Sequence, residues 1–222
     1  MTVRNRGALA AMAAGAAALT VAGLVACASR PAETVGAAEA SALASATPTP
    51  AAPASAGTTG RVPVNTGTLP ADATVPPTRL RVPAIGVTAT VNPVGVNART
   101  GEFDVPPSVD QVGWYRYGPG LEATTGSVVI AGHVDSAEQG KGAFFRLREL
   151  DRSDLLTVSG ADGRERRYRV VAREEYAKTK IPLDRYFARD GRPRLTLITC
   201  GGPFDPKTRH YRDNIVVTAV PA

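Results

Sequence analysis

Hydrophobic and polar positions change their pattern twice along the 222-residue chain. After a short charged start, residues 7–25 form one uncharged apolar run, and residues 29–77 contain almost no large apolar side chain. From Thr78 onward, short apolar runs alternate with turns that contain Gly, Pro, Asn and Asp. That alternation is typical of all-β barrels and sandwiches. The pattern therefore predicts an apolar leader, a polar spacer and one β-rich domain over residues 78–222.

The β-rich domain contains eight candidate strands and two short segments with helical periodicity. The predicted strands are Arg79–Val82, Val87–Val94, Phe103–Val105, Ser127–Gly132, Leu155–Ser159, Arg166–Glu175, Arg194–Cys200 and Asn214–Val220. The predicted helices are Ala143–Leu150 and Leu183–Ala188, each one or two turns long. Eight short strands of this kind favour a closed all-β barrel.

Residues 1–28 have the layout of an export signal. Arg4 and Arg6 precede the apolar run, as in a secretory signal or signal anchor. Leu24-Val25-Ala26-Cys27 resembles the bacterial lipobox, in which the signal is cut before a cysteine that then receives a lipid. The alternative is an uncleaved transmembrane anchor, since the run is just long enough to span a bilayer. Either reading predicts a protein tethered to the outer face of the cell membrane.

Composition adds two expectations. Residues 29–77 are rich in Ala, Pro, Ser and Thr, so we expect a disordered linker that cannot bury a core. The net charge of +6 is dispersed along an exported chain and lacks an aromatic-basic platform. We therefore expect no nucleic-acid partner.

Cys200 is the strongest candidate for chemistry. It ends an apolar strand, and a disulfide to membrane-level Cys27, the only other cysteine, is not expected. A free thiol in an oxidising compartment is usually buried or reactive. A reactive thiol needs a base or a positive group nearby. His133, at the exit of another apolar strand, and Arg212, at the start of the last strand, are the candidates.

These residues are also compatible with two other roles. A single cysteine is often an inert core residue. A metal site built from Cys200, His133, His210 and Asp135 lacks any recognised ligand spacing. The spacing therefore predicts neither a metal nor another cofactor.

Thr196-Leu197-Ile198-Thr199-Cys200 resembles the TLxTC signature of the sortase family, with every fixed position filled. His133 in Ala-Gly-His and Arg212 in Tyr-Arg-Asp-Asn match the family's histidine and arginine in the same order. The stretches around His133 and Cys200 look most like the actinobacterial class F branch. The resemblance covers residues 78–222.

The resemblance implies an eight-stranded sortase-type barrel and a two-step acyl transfer. Cys200 would attack the Thr–Gly bond of a C-terminal LPxTG-type motif on a secreted protein. Arg212 would hold the substrate and the oxyanion, while His133 would protonate the leaving amine. A peptidoglycan amine would then resolve the thioester. Thr199 and Asp135 are expected to support the site of a metal-free monomer.

Three rival functions remain open at this point. An L,D-transpeptidase-like cysteine enzyme is also exported and β-rich, but its signature differs from Thr-Leu-Ile-Thr-Cys-Gly-Gly. A plain cysteine hydrolase would pass the same thioester to water. A catalytically silent surface-binding lipoprotein would keep the barrel for recognition alone.

Overall fold

The apolar runs of the C-terminal region form strands that close into a barrel. A computed structural model describes residues 34–45, 62–63 and 75–222. The strands are β1 (Pro77–Val82), β2 (Val87–Val94), β3 (Val112–Tyr115), β4 (Ser127–Gly132), β5 (Asp135–Ser136), β6 (Gly140–Lys141), β7 (Leu155–Gly160), β8 (Glu165–Ala177), β9 (Arg194–Asp205) and β10 (His210–Pro221). The helices are α1 (Ala37–Ala44) and α2 (Leu183–Tyr186). Two 3₁₀ turns cover Pro83–Ile85 and Leu147–Glu149.

Eight of the strands pair in the closed order β1-β2-β3-β4-β9-β10-β8-β7, while β5 and β6 form a separate small hairpin. The β2–β3 and β4–β9 pairs are parallel, and the other barrel pairs are antiparallel. The parallel β4–β9 pair matters most for the site, because parallel strands deliver their C-terminal ends to the same edge of a sheet. The predicted all-β closed barrel of eight strands is confirmed.

Alternating residues of these strands fill the barrel interior. The interior cluster includes Leu80, Val82, Val112, Ile130, Phe144, Leu147, Val158, Leu195, Leu197, Ile215 and Val217. Full burial of one such side chain contributes about 1.5–3 kcal/mol to folding. The strands around the site are therefore anchored from the inside.

A second apolar cluster lies on the outer face of the barrel wall, and we call it the outer apolar cluster. Its floor consists of Val129, Ala131, Ile198 and Val216 from the central strands. Its remaining buried members are Val62, Tyr115, Ile181, Tyr186 and Phe187. The connection between β8 and β9, which includes α2, thus packs against the outer face of β4, β9 and β10.

Two predicted elements differ from the structure, and one observed strand was not predicted. Val112–Tyr115 forms the parallel strand β3, which the pattern did not predict, while Phe103–Val105 contributes only an isolated bridge at Phe103. Phe103 instead packs its ring against those of Tyr115 and Phe187. The helix predicted over Ala143–Leu150 is reduced to the second 3₁₀ turn. The apolar residues in Phe103–Val105 indicate a segment that packs against the core, but a short apolar run does not by itself show that the segment is a strand.

The predicted linker of residues 29–77 is ordered over residues 34–45, so the prediction of disorder is wrong for that part. Val35 exchanges backbone hydrogen bonds of 2.8 and 2.9 Å with Arg173 of β8. Ala40 and Leu43 of α1 are buried. Gly36 has φ +73°, and a Cβ at this position would collide with Val171 and Ala172. An Ala-rich segment of this length gains its helix from tertiary packing.

The expected signal segment of residues 1–28, including Cys27, lies outside the described residues. So do residues 29–33, 46–61 and 64–74 of the predicted linker. Val62 is buried, and its N–H donates to the carbonyl of Gly101 at 3.0 Å. Within the described ranges, no helix is both long and apolar enough to cross a membrane.

Candidate active site

The parallel pairing of β4 and β9 brings His133 and Cys200 to the same edge of the barrel. In this register Ala131 lies opposite Ile198. One residue further, the buried Thr199 hydroxyl donates a 2.8 Å hydrogen bond to the Gly132 carbonyl. The residues that follow Gly132 and Thr199 are His133 and Cys200. Because neighbouring strands lie about 4.8 Å apart, the imidazole and the thiol leave adjacent strands at the same level.

Strand alternation places both groups on the outer face. Leu197 points into the barrel, whereas Ile198 belongs to the outer apolar cluster. Cys200 lies two residues after Ile198 and so shares its face. By the same alternation along β4, His133 lies on the same outer face as Ala131. Cys200 is a free, half-buried cysteine at the rim of an apolar surface.

His133 is held by a proline carbonyl and by its own loop. Its Nε2 lies 2.9 Å from the Pro106 carbonyl oxygen. A carbonyl can only accept, so Nε2 carries a proton and Nδ1 is left for chemistry. The His133 carbonyl accepts a 3.1 Å hydrogen bond from the Phe144 N–H. Gly142 passes so close that a Cβ there would collide with this carbonyl.

Arg212 lies on β10, the strand on the other side of β9. Asn214 is the direct partner of Cys200, and the register shifts between Tyr211 and Asp213. The Arg212 side chain is 65% exposed, with Nη2 3.5 Å from Asp205 Oδ2. Such an exposed pair contributes little to stability. The guanidinium is therefore only loosely held.

Asp205 closes the turn of this hairpin. Its carboxylate accepts hydrogen bonds from the backbone of Lys207 and Thr208, and these bonds, with nearby Arg212, lower the pKa of Asp205. The carboxylate thus stays ionised through ordinary pH and keeps the turn in shape. Arg212 is carried on a well-formed hairpin, although its own side chain is mostly exposed.

Asp135 and Tyr211 join the histidine loop to β10, a contact that sequence reasoning missed. The Tyr211 hydroxyl donates to Asp135 Oδ2. This hydrogen bond, followed by burial and the charges of Asp135 and Cys200, raises the pKa of Tyr211 to about 12. The Tyr211 ring also packs edge-on against Phe204, with 5.2 Å between centroids. The two residues lie 76 positions apart, so no local signal could reveal the contact.

The two glycines after Cys200 have a structural role. Gly202 has φ +71°, and a Cβ there would collide with Asp213, while one at Gly201 would meet Ile215. Both glycines therefore allow β9 to pack tightly against β10 just beyond the thiol.

The site brings together groups suited to acyl transfer. A thiol, an imidazole and a guanidinium lie on three adjacent strands β4, β9 and β10 beside an apolar surface. A thiol beside an imidazole can act as a nucleophile, and a guanidinium can stabilise an oxyanion. Within residues 34–45, 62–63 and 75–222, no group of three or more His, Cys, Asp or Glu side chains is placed to hold a metal ion.

Comparisons with known proteins identify the fold and the family. Similar solved structures include sortase C-1 from Actinomyces oris (21% identity, 65% of this chain and 72% of that chain, TM-score 0.50). Sortase A from Corynebacterium diphtheriae is similar at 19% identity, over 67% of this chain and 60% of that one, with TM-score 0.50. Sortase C1 of Streptococcus agalactiae is similar at 16% identity, over 65% and 66% of the two chains, with the same TM-score of 0.50.

A search of curated proteins finds no match. The Sortase domain family matches residues 80–222, which is nearly the whole barrel. The chain therefore belongs to the sortase family.

Proposed function

We propose that this sortase-type transpeptidase uses Cys200 to cleave a C-terminal LPxTG-type motif between Thr and Gly. The observation that supports this most directly is the parallel β4–β9 pair, which aligns His133 with Cys200 and leaves Arg212 on the next strand. The family likeness supports the reaction class. The residue roles rest on the geometry of the site.

In the first step, the Cys200 thiolate attacks the Thr carbonyl carbon and a tetrahedral oxyanion forms. Arg212 is loosely paired and 65% exposed, so it is free to turn toward that oxygen. His133 donates a proton to the Gly nitrogen as the C–N bond breaks. The products are a thioester on Cys200 and a free amine.

In the second step, an amine on peptidoglycan or its precursor attacks the thioester. His133 takes up the amine proton, the C–S bond breaks, and the Cys200 thiolate is regenerated. Thr199 supports the site by fixing the level of β9 against Gly132 through its hydrogen bond. Asp135 supports it through Tyr211, which ties the histidine loop to the strand of Arg212.

Because all the buried members of the outer apolar cluster are at most 9% exposed, the Leu-Pro part of the motif would take the place of Val62 there. The cluster begins next to Cys200 with Ala131 and Ile198 and is bordered by aromatic residues. Buried Val62, followed by Pro63, already packs a branched aliphatic residue into this cluster. An apolar surface that accepts Val-Pro is chemically suited to Leu-Pro.

The location, tether, assembly and subclass are also proposals. The charged start, the apolar run and Cys27 support an outward-facing protein anchored by a lipid or by one transmembrane helix. We propose a monomer of the class F type that acts on secreted proteins. Metabolic labelling with a radioactive fatty acid, compared between wild type and Cys27→Ala, tests the lipid anchor.

The function is tested with the purified full-length chain, a panel of LPxTG-type peptides and an amine-terminated acceptor peptide. We expect Cys200-dependent ligation, absent in Cys200→Ala, with mass spectrometry locating the cut between Thr and Gly. Cleavage without ligation would indicate the hydrolase. Binding without any Cys200-dependent product would indicate the silent surface-binding protein.

A further inference from the structure

A strip of short side chains runs along β7 on the outer face of the barrel. Leu155, Thr157 and Ser159 alternate with Leu156 and Val158, which fill the interior, so the first three point outward. Thr157 and Ser159 are half-buried, and the strands on both sides of β7 present longer side chains on this face. The strip is therefore the floor of a shallow groove, which we call the β7 trough.

Two arginines face each other across the β7 trough. Arg81 of β1 lies opposite Thr157, and Thr157 lies opposite Arg167 of β8. Both arginines are exposed. Neighbouring strands are about 4.8 Å apart, so the backbones of β1 and β8 lie roughly 10 Å apart across the trough. A linear ligand that lies on Thr157 is within reach of both guanidinium groups.

Each wall of the trough carries a second exposed arginine. Arg79 precedes Arg81 on β1, and Arg169 follows Arg167 on β8. Alternate residues of a strand lie on the same face, about 7 Å apart. These four residues, which we call the wall arginines, therefore place positive charge beside three successive positions of the floor.

The wall arginines are available to a ligand. Arg164 and Arg166, in the same basic stretch of sequence, are already paired with Glu122 and Asp162. In contrast, the ion pairs among residues 34–45, 62–63 and 75–222 include none of the wall arginines. One acid of these strands, Glu165, shares their face. The trough thus carries four positive charges against one negative charge.

The trough faces away from the candidate active site. In the closed order of strands, three strands separate β7 from β4 in either direction. His133 follows β4, and Cys200 lies on the neighbouring β9. A ligand in the trough therefore does not compete with a peptide at the thiol.

The chemistry of the trough selects among polyanions. Guanidinium groups bind phosphate through two parallel hydrogen bonds, and the hydroxyls of Thr157 and Ser159 can donate to phosphate oxygens. The floor and the wall arginines include no aromatic ring on which a nucleic-acid base could stack. A bilayer surface is too broad to enter a groove between two rows of side chains. A thin, linear chain of phosphates fits both the floor and the walls.

We propose that the β7 trough binds a linear phosphodiester polymer of a small polyol in the cell wall. Successive phosphates contact Arg79, then Arg81 and Arg167 together, then Arg169. The choice of a wall polymer rests on the proposed location outside the cell membrane, whereas the trough does not depend on the proposed reaction. The bound polymer holds the barrel with its candidate active site turned outward.

Calorimetric titration of the full-length chain in a neutral detergent tests the trough, with a synthetic glycerol phosphate oligomer as the probe. The trough variant combines Arg81→Gln with Arg167→Gln. We expect it to bind about tenfold more weakly or worse and to lower the slope of log affinity against log salt by about 1.4, since each phosphate contact contributes about 0.7. Arg99→Gln combined with Arg148→Gln is the matched control, because it removes the same charge from two exposed arginines outside β1, β7 and β8. Equal weakening by the two double variants, or no binding by the wild type, would overturn the proposal.

Two further probes separate this polymer from other anions. Oligothymidylate with the same number of phosphates should bind more weakly than the glycerol phosphate oligomer, because its bases find no stacking partner in the trough. Equally tight binding that also depends on Arg81 and Arg167 would assign the trough to nucleic acid instead. Adding phosphatidylglycerol to the detergent micelles should preserve the difference between wild type and the trough variant. Loss of that difference would assign the trough to lipid headgroups and contradict the proposal.

The trough and the proposed reaction can fail separately. The trough variant should form the Cys200 thioester with a soluble LPxTG-type peptide at the wild-type rate, because the trough faces away from the thiol. A slower reaction in the trough variant than in the control variant would contradict that separation. A chain that binds the oligomer through Arg81 and Arg167 but forms no thioester refutes the proposed function and leaves the trough standing.

Discussion

Two polar clusters lie on the outer wall of this barrel, and they are built in opposite ways. In the first, Glu174 is 2% exposed and receives hydrogen bonds from Arg185, Tyr176 and Tyr186 at 2.6–2.8 Å. In the second, the Arg212 side chain is 65% exposed with one partner at 3.5 Å, beside half-buried Cys200 and His133.

The difference separates a structural cluster from a chemical one. Burial raises the pKa of Tyr186 far above its usual range, so that hydroxyl stays a donor to Glu174. The Arg185 guanidinium also donates a 3.0 Å hydrogen bond to the Ser41 hydroxyl of α1, so that this helix covers part of the cluster. The Glu174 carboxylate is enclosed and both its oxygens accept hydrogen bonds, so it cannot meet a substrate. The open cluster keeps its imidazole Nδ1, its thiol and its guanidinium available, at the cost of contributing little to stability.

Breaking the closed cluster should have the largest effect on stability. Glu174→Ala leaves the Arg185 charge without its partner, and removing one member of a buried pair costs about 3–5 kcal/mol. Chemical denaturation of the full-length chain measures the change. Glu149→Ala is the control, because the ion pair of Glu149 with Arg146 is exposed and its loss should change the free energy of unfolding far less than Glu174→Ala does. Similar losses of unfolding free energy in the two variants would show that the closed cluster is no more stabilising than an exposed ion pair.

Changing Arg212 should have the second-largest effect, and it should lower the rate of transpeptidation without lowering stability. Arg212→Lys keeps the charge but loses the planar fork, so the rate of transpeptidation should fall about 10²-fold. The free energy of unfolding should change by less than about 0.5 kcal/mol, because the side chain is exposed. Arg209→Lys, in the turn of the same hairpin, should leave the rate unchanged. A large loss of stability in Arg212→Lys would show that its role is structural.

Tyr211→Phe should have the smallest effect of the three. The ring contact with Phe204 remains, but the hydroxyl bond to Asp135 is lost; at about 1 kcal/mol this predicts a rate roughly fivefold lower. Because the pKa of Tyr211 is about 12, the hydroxyl does not titrate below pH 10. The rate of Tyr211→Phe should therefore be lower than that of the wild type at every pH between 5 and 9, and the shape of the pH–rate profile should not change.

The same pKa gives an expectation for stability at high pH. The folded-state pKa of Tyr211 exceeds its unfolded value of about 10. The stabilisation by its hydroxyl is therefore fully present below pH 10 and is lost as the pH rises through about 12. Denaturation midpoints of wild type and Tyr211→Phe should converge over that interval. Tyr117→Phe, which removes a hydroxyl bonded to exposed Arg116, serves as the control for both measurements.

The sequence predicts the parts of the molecule that have local patterns. The apolar run that becomes β4 places His133 directly after its strand, and the closed barrel follows from eight short strands. The predicted end of the next apolar strand at Cys200 is wrong, because β9 continues to Asp205 by pairing with β10. Val112–Tyr115 was missed because a fully buried four-residue strand has no alternation. Helix α1 was missed because its Ala-rich composition does not show that Leu43 and Ala40 are buried against the barrel.

Long-range side-chain contacts account for the rest of the candidate site. The Tyr211–Asp135 bond joins residues that become neighbours only when β10 and the histidine loop meet at the barrel edge. A cavity that Lys141 lines likewise forms only where three separate chain segments meet, those of Ile85, Asp110 and Lys141. Neither a motif nor a period along the chain encodes such meetings. The roles assigned to His133, Cys200 and Arg212 remain predictions that experiments must test.

The central claim is that Cys200 forms the covalent intermediate, and intact-protein mass spectrometry tests it most directly. The full-length chain is mixed with an LPxTG-type peptide, without an amine acceptor, and quenched in acid within seconds. We expect an added mass equal to the acyl fragment, located on Cys200 by peptide mapping and released by hydroxylamine. An adduct on another residue, or peptide cleavage that persists in Cys200→Ala, would contradict the account.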